Sequence, residues 1–253
     1  MVTRDLNQWV DQQLDQLSHC ELQPVEVAVL DSGIDATHPD LAGKISEAVQ
    51  IELIDGKARI VQTNLLGNSD LFGHGTAVAS IITRLAPNAR IVDVRVLGTD
   101  NNGAAAALIA GLKFAVERKS RIINMSLAVK ADYAPQLWPL CELAYRQNQI
   151  VVAARRNMPL ADEGFPAEFS SCVSVDRDRF TTPYRLRFNL NEIIEYTAQG
   201  EEVIVAARGG GYTTKTGTSF ATPAVSGLCA LLVGAHPELR PFEVKTILKA
   251  FSD

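Results

Sequence analysis

The feature that most constrains this chain is a repeated alternation of short apolar, β-branched runs with longer segments of helical period. The runs predict strands at 25–30, 90–97, 121–125, 149–153, 172–175 and 203–206. Helical patterns lie at 74–84, 104–118 and 136–147, and two more close the chain at 219–234 and 242–251. Strands this apolar, interleaved with helices, predict a mainly parallel α/β sheet covered on both faces. One segment departs from the rule: 51–60, with Asp55-Gly56 at its centre, reads as an antiparallel hairpin. Leu6, Trp9, Val10, Leu14 and Leu17 recur at helical spacing and predict an amphipathic helix ahead of the first strand. No linker, repeat or low-complexity tract interrupts the pattern, so one domain is expected over residues 1–253.

Composition narrows the function classes. With 253 residues and 47% hydrophobic content, the chain can bury a core without metals or disulfides to staple it. No apolar run approaches the roughly 18 residues of a membrane span, so no membrane partner is expected. The net charge of −5 and the lack of a basic block argue against nucleic acid. The amino terminus is polar from the start, without the apolar region of a signal peptide. Cys20, Cys141, Cys172 and Cys229 are far apart and form no CxxC pair. They are expected as free thiols in a reducing cytoplasm.

Three segments carry candidate chemistry. In Gly217-Thr218-Ser219-Phe220-Ala221-Thr222-Pro223 an apolar helical pattern follows the serine directly. Ser219 is thereby expected at a helix N-terminus, where unpaired N–H groups suit a nucleophile whose attack creates an oxyanion. Read alone, it could equally be a helix cap. Of the four histidines, His38 and His236 precede prolines and His19 ends a helical pattern. His74 lies between two glycines ahead of an apolar helix, which makes it the best base. Asp31 ends the apolar run 27–30 and precedes Ser32-Gly33, at the carboxyl edge of a strand where ligands gather in parallel sheets. An Asx turn would use the same residues.

Together, Val-Ala-Val-Leu-Asp-Ser-Gly-Ile-Asp at 27–35, His-Gly-Thr at 74–76 and Gly-Thr-Ser-Phe-Ala-Thr-Pro at 217–223 closely resemble the subtilisin-like serine protease signatures, in that family's order. The resemblance implies a three-layer subtilisin-like fold, a serine endopeptidase, and catalytic roles for Asp31, His74 and Ser219. It adds Asn157, after the run 150–154, as an oxyanion donor. It also implies an extended peptide or protein substrate bound as an added strand along Asn102-Gly103-Ala104 and Ser126-Leu127-Ala128. The primary specificity pocket would be bounded by Ser126–Ala128, Ala154 and the residue before Asn157, with Gly164 at its floor.

Two departures stand out against that pattern. Arg155 and Arg156 replace the usual Ala-Gly before the asparagine, so Arg156 is expected either to narrow and charge the pocket or to turn out to water. The helix after His74 runs almost directly into Leu85-Ala86-Pro87. That leaves no room for a calcium-binding loop, although Asp40 matches a family ligand; no metal or other cofactor is expected. An α/β-hydrolase esterase fails on motif order, and Gly209-Gly210-Gly211 has no phosphate-loop spacing. A silent subtilase fold serving as a binding or regulatory module remains the alternative, and a regulatory partner is left unspecified.

Overall fold

The computed structural model describes residues 17, 22–157 and 163–252. Of the helix expected near the amino terminus, Leu17 alone is described; it is helical and packs against the core. The rest of that segment, with Cys20, lies outside the described residues.

Nine strands form one sheet. In chain order they are β1 (Val25–Asp31), β2 (Ile45–Ile54), β3 (Lys57–Gln62), β4 (Ala89–Arg95), β5 (Ile122–Met125), β6 (Ile150–Ala154), β7 (Val173–Asp178), β8 (Leu186–Phe188) and β9 (Tyr196–Gln199). Their spatial order is β3-β2-β4-β1-β5-β6-β7-β9-β8. Every pairing from β2 through β9 is parallel, and the edge strands β3 and β8 pair antiparallel. The β2–β3 hairpin turns at Asp55-Gly56, both with positive φ, as the dipeptide predicted.

The helices are α1 (His74–Leu85), α2 (Ala105–Arg118), α3 (Ala134–Arg146), α4 (Thr218–Ala235) and α5 (Pro241–Ala250). Strand pleating divides the core between them. Val25, Val27 and Val29 of β1 share a cluster with Val78 and Ile82 of α1, Leu228 and Leu231 of α4 and Val244 of α5. Ala28 and Leu30 point the other way and pack with Leu112 and Val116 of α2 and Leu137 and Cys141 of α3. Helices on both sides of a mainly parallel sheet give the expected three-layer α/β architecture. The two-residue period also assigns Asp31, at the end of β1, to the face of α1 and α4.

Two sequence expectations need correction. The strand at 203–206 forms, as β10 (Val203–Ala206), but outside the parallel sheet: it pairs antiparallel with β11 (Tyr212–Lys215) in a separate two-stranded ribbon. No strand was expected at β11, whose four residues are exposed and carry no apolar signal. The expectation that no apolar run reaches membrane length also fails, at α4. It has 18 residues and a mean hydropathy of 1.5, enough by length and composition to cross a bilayer. It is instead a core helix, 89% buried inside the protein, because α1, β1, β5, β6, β7, β9 and α5 all pack around it.

The core assignment can be checked on α2. Leu112 is fully buried, whereas Lys113 beside it is exposed and pairs with Glu117. Leu112→Ala is expected to cost about 2–5 kcal/mol, and Lys113→Ala no more than about 0.5 kcal/mol, as measured by urea unfolding.

Candidate active site

Glycines let α1 approach β1 closely enough to join their side chains. Gly73 precedes α1 with φ 102°, a left-handed conformation that side chains disfavour. Gly75 lies so near that a Cβ there would meet the Gly33 carbonyl oxygen at 2.2 Å. His74 sits between them as the first residue of α1. Its Nδ1 is 2.8 Å from Oδ1 and 2.9 Å from Oδ2 of Asp31. Asp31 is fully buried and its Oδ1 also accepts the Ser32 N–H at 2.7 Å. A carboxylate can only accept, so the Nδ1 proton points at Asp31 and Nε2 is the basic nitrogen of the neutral ring. The far side of the imidazole rests against Phe220, with ring centroids 5.3 Å apart.

A second buried carboxylate supports this pair, and sequence reading missed it. Asp70 Oδ1 accepts from the Ser32 hydroxyl at 2.7 Å and from the Gly73 N–H at 2.7 Å. Its Oδ2 accepts the Thr76 N–H at 3.0 Å. The Ser32 hydroxyl oxygen in turn accepts the Gly75 N–H at 3.0 Å. Asp70 therefore ties the turn after Asp31 to the first turn of α1, where a negative charge also meets the positive helix end. In Asn68-Ser69-Asp70 nothing local distinguishes it from an ordinary loop acid. A third carboxyl, Asp93, is pushed up to about 7 by burial, although Ser69 and the Ile34 N–H donate to it.

These groups set the charge of His74. Burial disfavours the imidazolium, but the Asp31 charge and hydrogen bond, helped by Asp70, outweigh burial and the opposing Lys215, so the pKa is raised above 6.5. The cysteines are poor rivals as nucleophiles. Cys141, Cys172 and Cys229 are free and buried, and burial pushes the Cys229 thiol up to about 12.

Ser219 is the second residue of α4. Among the described residues, neither its N–H nor its hydroxyl has a hydrogen-bond partner, and none joins it to His74. Such catalytic hydrogen bonds are often open before substrate binds. Asn157 is held beside it: Oδ1 accepts from the Thr218 N–H at 3.2 Å and the Thr218 hydroxyl at 3.0 Å. With its oxygen committed to α4, Asn157 has its Nδ2 to donate.

Ser219 and Asn157 line a cavity of about 330 Å³ with Leu127, Ala128, Ala154 and Arg156. Arg155 adjoins it but turns away into an ion pair with Asp176 at 2.5 Å. Arg156 stays on the wall. Its NH1 lies 3.4 Å from the Glu163 carbonyl, and its Cβ sits where a side chain on Gly164 would collide, at 2.7 Å. Gly164 backs Arg156 and is not among the residues that line the cavity. Ser126 directly follows β5, and its hydroxyl oxygen accepts from Asn124 Nδ2 at 3.0 Å. Gly103 and Ala104 line a separate cavity of about 340 Å³ with Leu97, while Asn102 caps a turn through Asp100. Among the described residues, no backbone–backbone hydrogen bond engages Gly103, Ser126, Leu127 or Ala128. Asp40, the residue matched to a metal ligand, accepts from Tyr212 at 2.8 Å and lies 3.6 Å from Arg84.

A model of the subtilase family matches residues 23–251. The chain is 33% identical to the "Intracellular serine protease" of Paenibacillus polymyxa, over 82% of this chain and 66% of that protein. It is also 33% identical to the "Major intracellular serine protease" of Bacillus subtilis (strain 168), over 85% of this chain and 70% of that one. The chain thus spans about two thirds of the length of these relatives. Among solved structures it superposes on a cold-adapted subtilisin-like serine proteinase with TM-score 0.72 and 28% identity, covering 90% of this chain and 82% of the other. Sphericase, at TM-score 0.75 and 24% identity, shares the fold over 90% of this chain and 83% of its own. This chain belongs to the subtilase family, the subtilisin-like serine proteases.

Proposed function

We propose that the chain is a serine endopeptidase that hydrolyses peptide bonds through Asp31, His74 and Ser219. The observation that carries this reading is the His74 imidazole, held by both oxygens of a buried carboxylate with its basic nitrogen left for a proton. His74 Nε2 removes the Ser219 hydroxyl proton as Oγ attacks the substrate carbonyl carbon. Negative charge develops on the carbonyl oxygen, which the Ser219 N–H and Asn157 Nδ2 stabilise by hydrogen bonds made strongest in the transition state. The C–N bond then breaks and His74 gives its proton to the departing amine. Water, deprotonated by His74, hydrolyses the acyl-enzyme and frees Ser219.

The substrate lies extended, as an added strand between Asn102–Ala104 and Ser126–Ala128, where the backbone groups of Gly103, Ser126, Leu127 and Ala128 can pair with it. Arg156 restricts the side chain before the scissile bond, disfavouring bulky aromatics and favouring acids. The unpaired thiols and the intracellular names of two relatives support a cytoplasmic setting.

A fluorophosphonate probe is expected to label the wild type and not Ser219→Ala; equal labelling of the two, or none of either, would favour a silent binding module. Asn157→Ala should lower kcat by about 100-fold or more with KM little changed, a scale taken from subtilisin itself.

Because a raised His74 pKa keeps the ring protonated at acid pH, kcat/KM should fall about tenfold per unit below a midpoint above 6.5. A profile that stays flat from about pH 5 to about 8 would remove His74 from its role.

Peptides with Glu before the scissile bond should be cleaved faster than those with Phe, and Arg156→Gly should raise the Phe rate about tenfold. An unchanged preference in that variant would sink the role given to Arg156.

A further inference from the structure

A second cavity, of about 520 Å³, opens on the other side of His74. Its floor is apolar, with Phe72 and Phe220, and its walls include Thr213, Arg208 and Lys215. No aspartate or glutamate is among the described residues that line it. Neither the Arg208 nor the Lys215 side chain is hydrogen-bonded or ion-paired to a described residue. The positive field nonetheless reaches the imidazole, since Lys215 acts to lower the His74 pKa.

The two cations come from the β10–β11 ribbon. Strand alternation turns Thr213 and Lys215 to the cavity and Tyr212 to the opposite side. There the Tyr212 ring meets His38 edge-on, and its hydroxyl donates to Asp40. His38 Nε2 lies 2.9 Å from the Gly211 carbonyl, the Gly209 N–H donates to buried Asp35 at 2.8 Å, and Arg84 donates to the Ile204 carbonyl at 2.8 Å. The ribbon is anchored on its outer side, so its cations face His74 from a fixed frame.

Which part of a substrate meets this frame follows from the proposed mechanism, on which the inference rests. The acyl half occupies the cavity shared by Ser219, Asn157 and Arg156. The departing amine receives its proton from His74 and must lie against that ring. The cavity walled by His74 and by Phe220, the residue after the nucleophile, therefore belongs to the leaving half. The geometry points to a carboxylate subsite here: Arg208 and Lys215 select substrates that carry an acidic group shortly after the scissile bond. The carboxylate comes either from an aspartate or glutamate side chain or from the substrate's own chain end. The apolar floor takes the methylenes or the neighbouring side chain.

Quenched fluorescent peptides with one constant acyl half and Glu, Ala or Lys at the first two positions after the cut, all amidated at the C-terminus, test the selection. In low salt kcat/KM should rank Glu above Ala above Lys, with about fivefold or more between the extremes, shrinking as salt screens the charges. Arg208→Gln with Lys215→Gln should bring the Glu-to-Lys ratio to about one, and Lys215→Glu should invert it. Comparing ratios at one pH removes any general effect on His74. A second set, with Ala after the cut and the C-terminus free or amidated two residues on, separates the sources. Preference for the free end alone assigns the cavity to a chain terminus, and preference for Glu in amidated peptides assigns it to side chains. Equal cleavage of Glu, Ala and Lys peptides and of both termini overturns the subsite while leaving the peptidase intact. A preference that survives both substitutions overturns its assignment to these two residues. Cleavage of no peptide overturns the peptidase reading and the subsite with it.

Discussion

A helix as apolar as Thr218–Ala235 cannot face water along any side, and the rest of the molecule is arranged around that constraint. Burying it requires the sheet beneath it, α1 alongside it and α5 across its flank. Its first turn is the exception: there Ser219 reaches partial exposure and the helix presents N–H groups without intrahelical partners. Deep burial of one end therefore fixes the position of the other. That rigidity lets Asn157 be held through Thr218, the backbone neighbour of Ser219, by two hydrogen bonds.

The electrostatics follow the same economy. Asp31 reaches the α1–α4 face because it falls on the same pleat as Val25, Val27 and Val29, and it lies at the carboxyl end of a strand central to the sheet. Its desolvation is offset by donors from Ser32 and His74. Asp70, also buried, satisfies the first turn of α1 and keeps His74 from drifting off that carboxylate. Burial and Lys215 act against the imidazolium, yet the Asp31 charge and hydrogen bond still leave the His74 pKa raised.

Much of this was legible in the sequence because it is local or strongly periodic. The strands β1, β5 and β6 are buried and largely apolar on both faces, and such short runs between helical patterns leave few other folds. Asp31, His74 and Ser219 stand where short motifs place them, and the structure joins Asp31 to His74. What escaped lacks such signals. Strands β8 and β9 have three and four residues, and β11 is wholly exposed. The residues of β10 show how an apolar run betrays a strand without revealing its partner: Val205 is buried, yet it packs with Ala77 and Phe220 outside the main sheet. Asp70 and the cations of the ribbon act through tertiary neighbours, and no spacing rule joins Lys215 to His74. The arginine pair was ambiguous because identical side chains one residue apart meet opposite fates: Arg155 finds Asp176, whereas Arg156 packs on Gly164.

The place of Ser219 in the chain also governs when the proposed site can be completed. Asp31 and His74 lie far ahead of Ser219 in the sequence. The helix bearing Ser219 must slot between elements made long before it, through contacts of large sequence separation. A ribosome therefore releases most of the sheet before Ser219 is made, and a chain cut short during translation would carry His74 and Asp31 without it. On the proposed roles, the order of synthesis leaves a fragment without its nucleophile, and the site is complete only in a chain that has closed its core around α4.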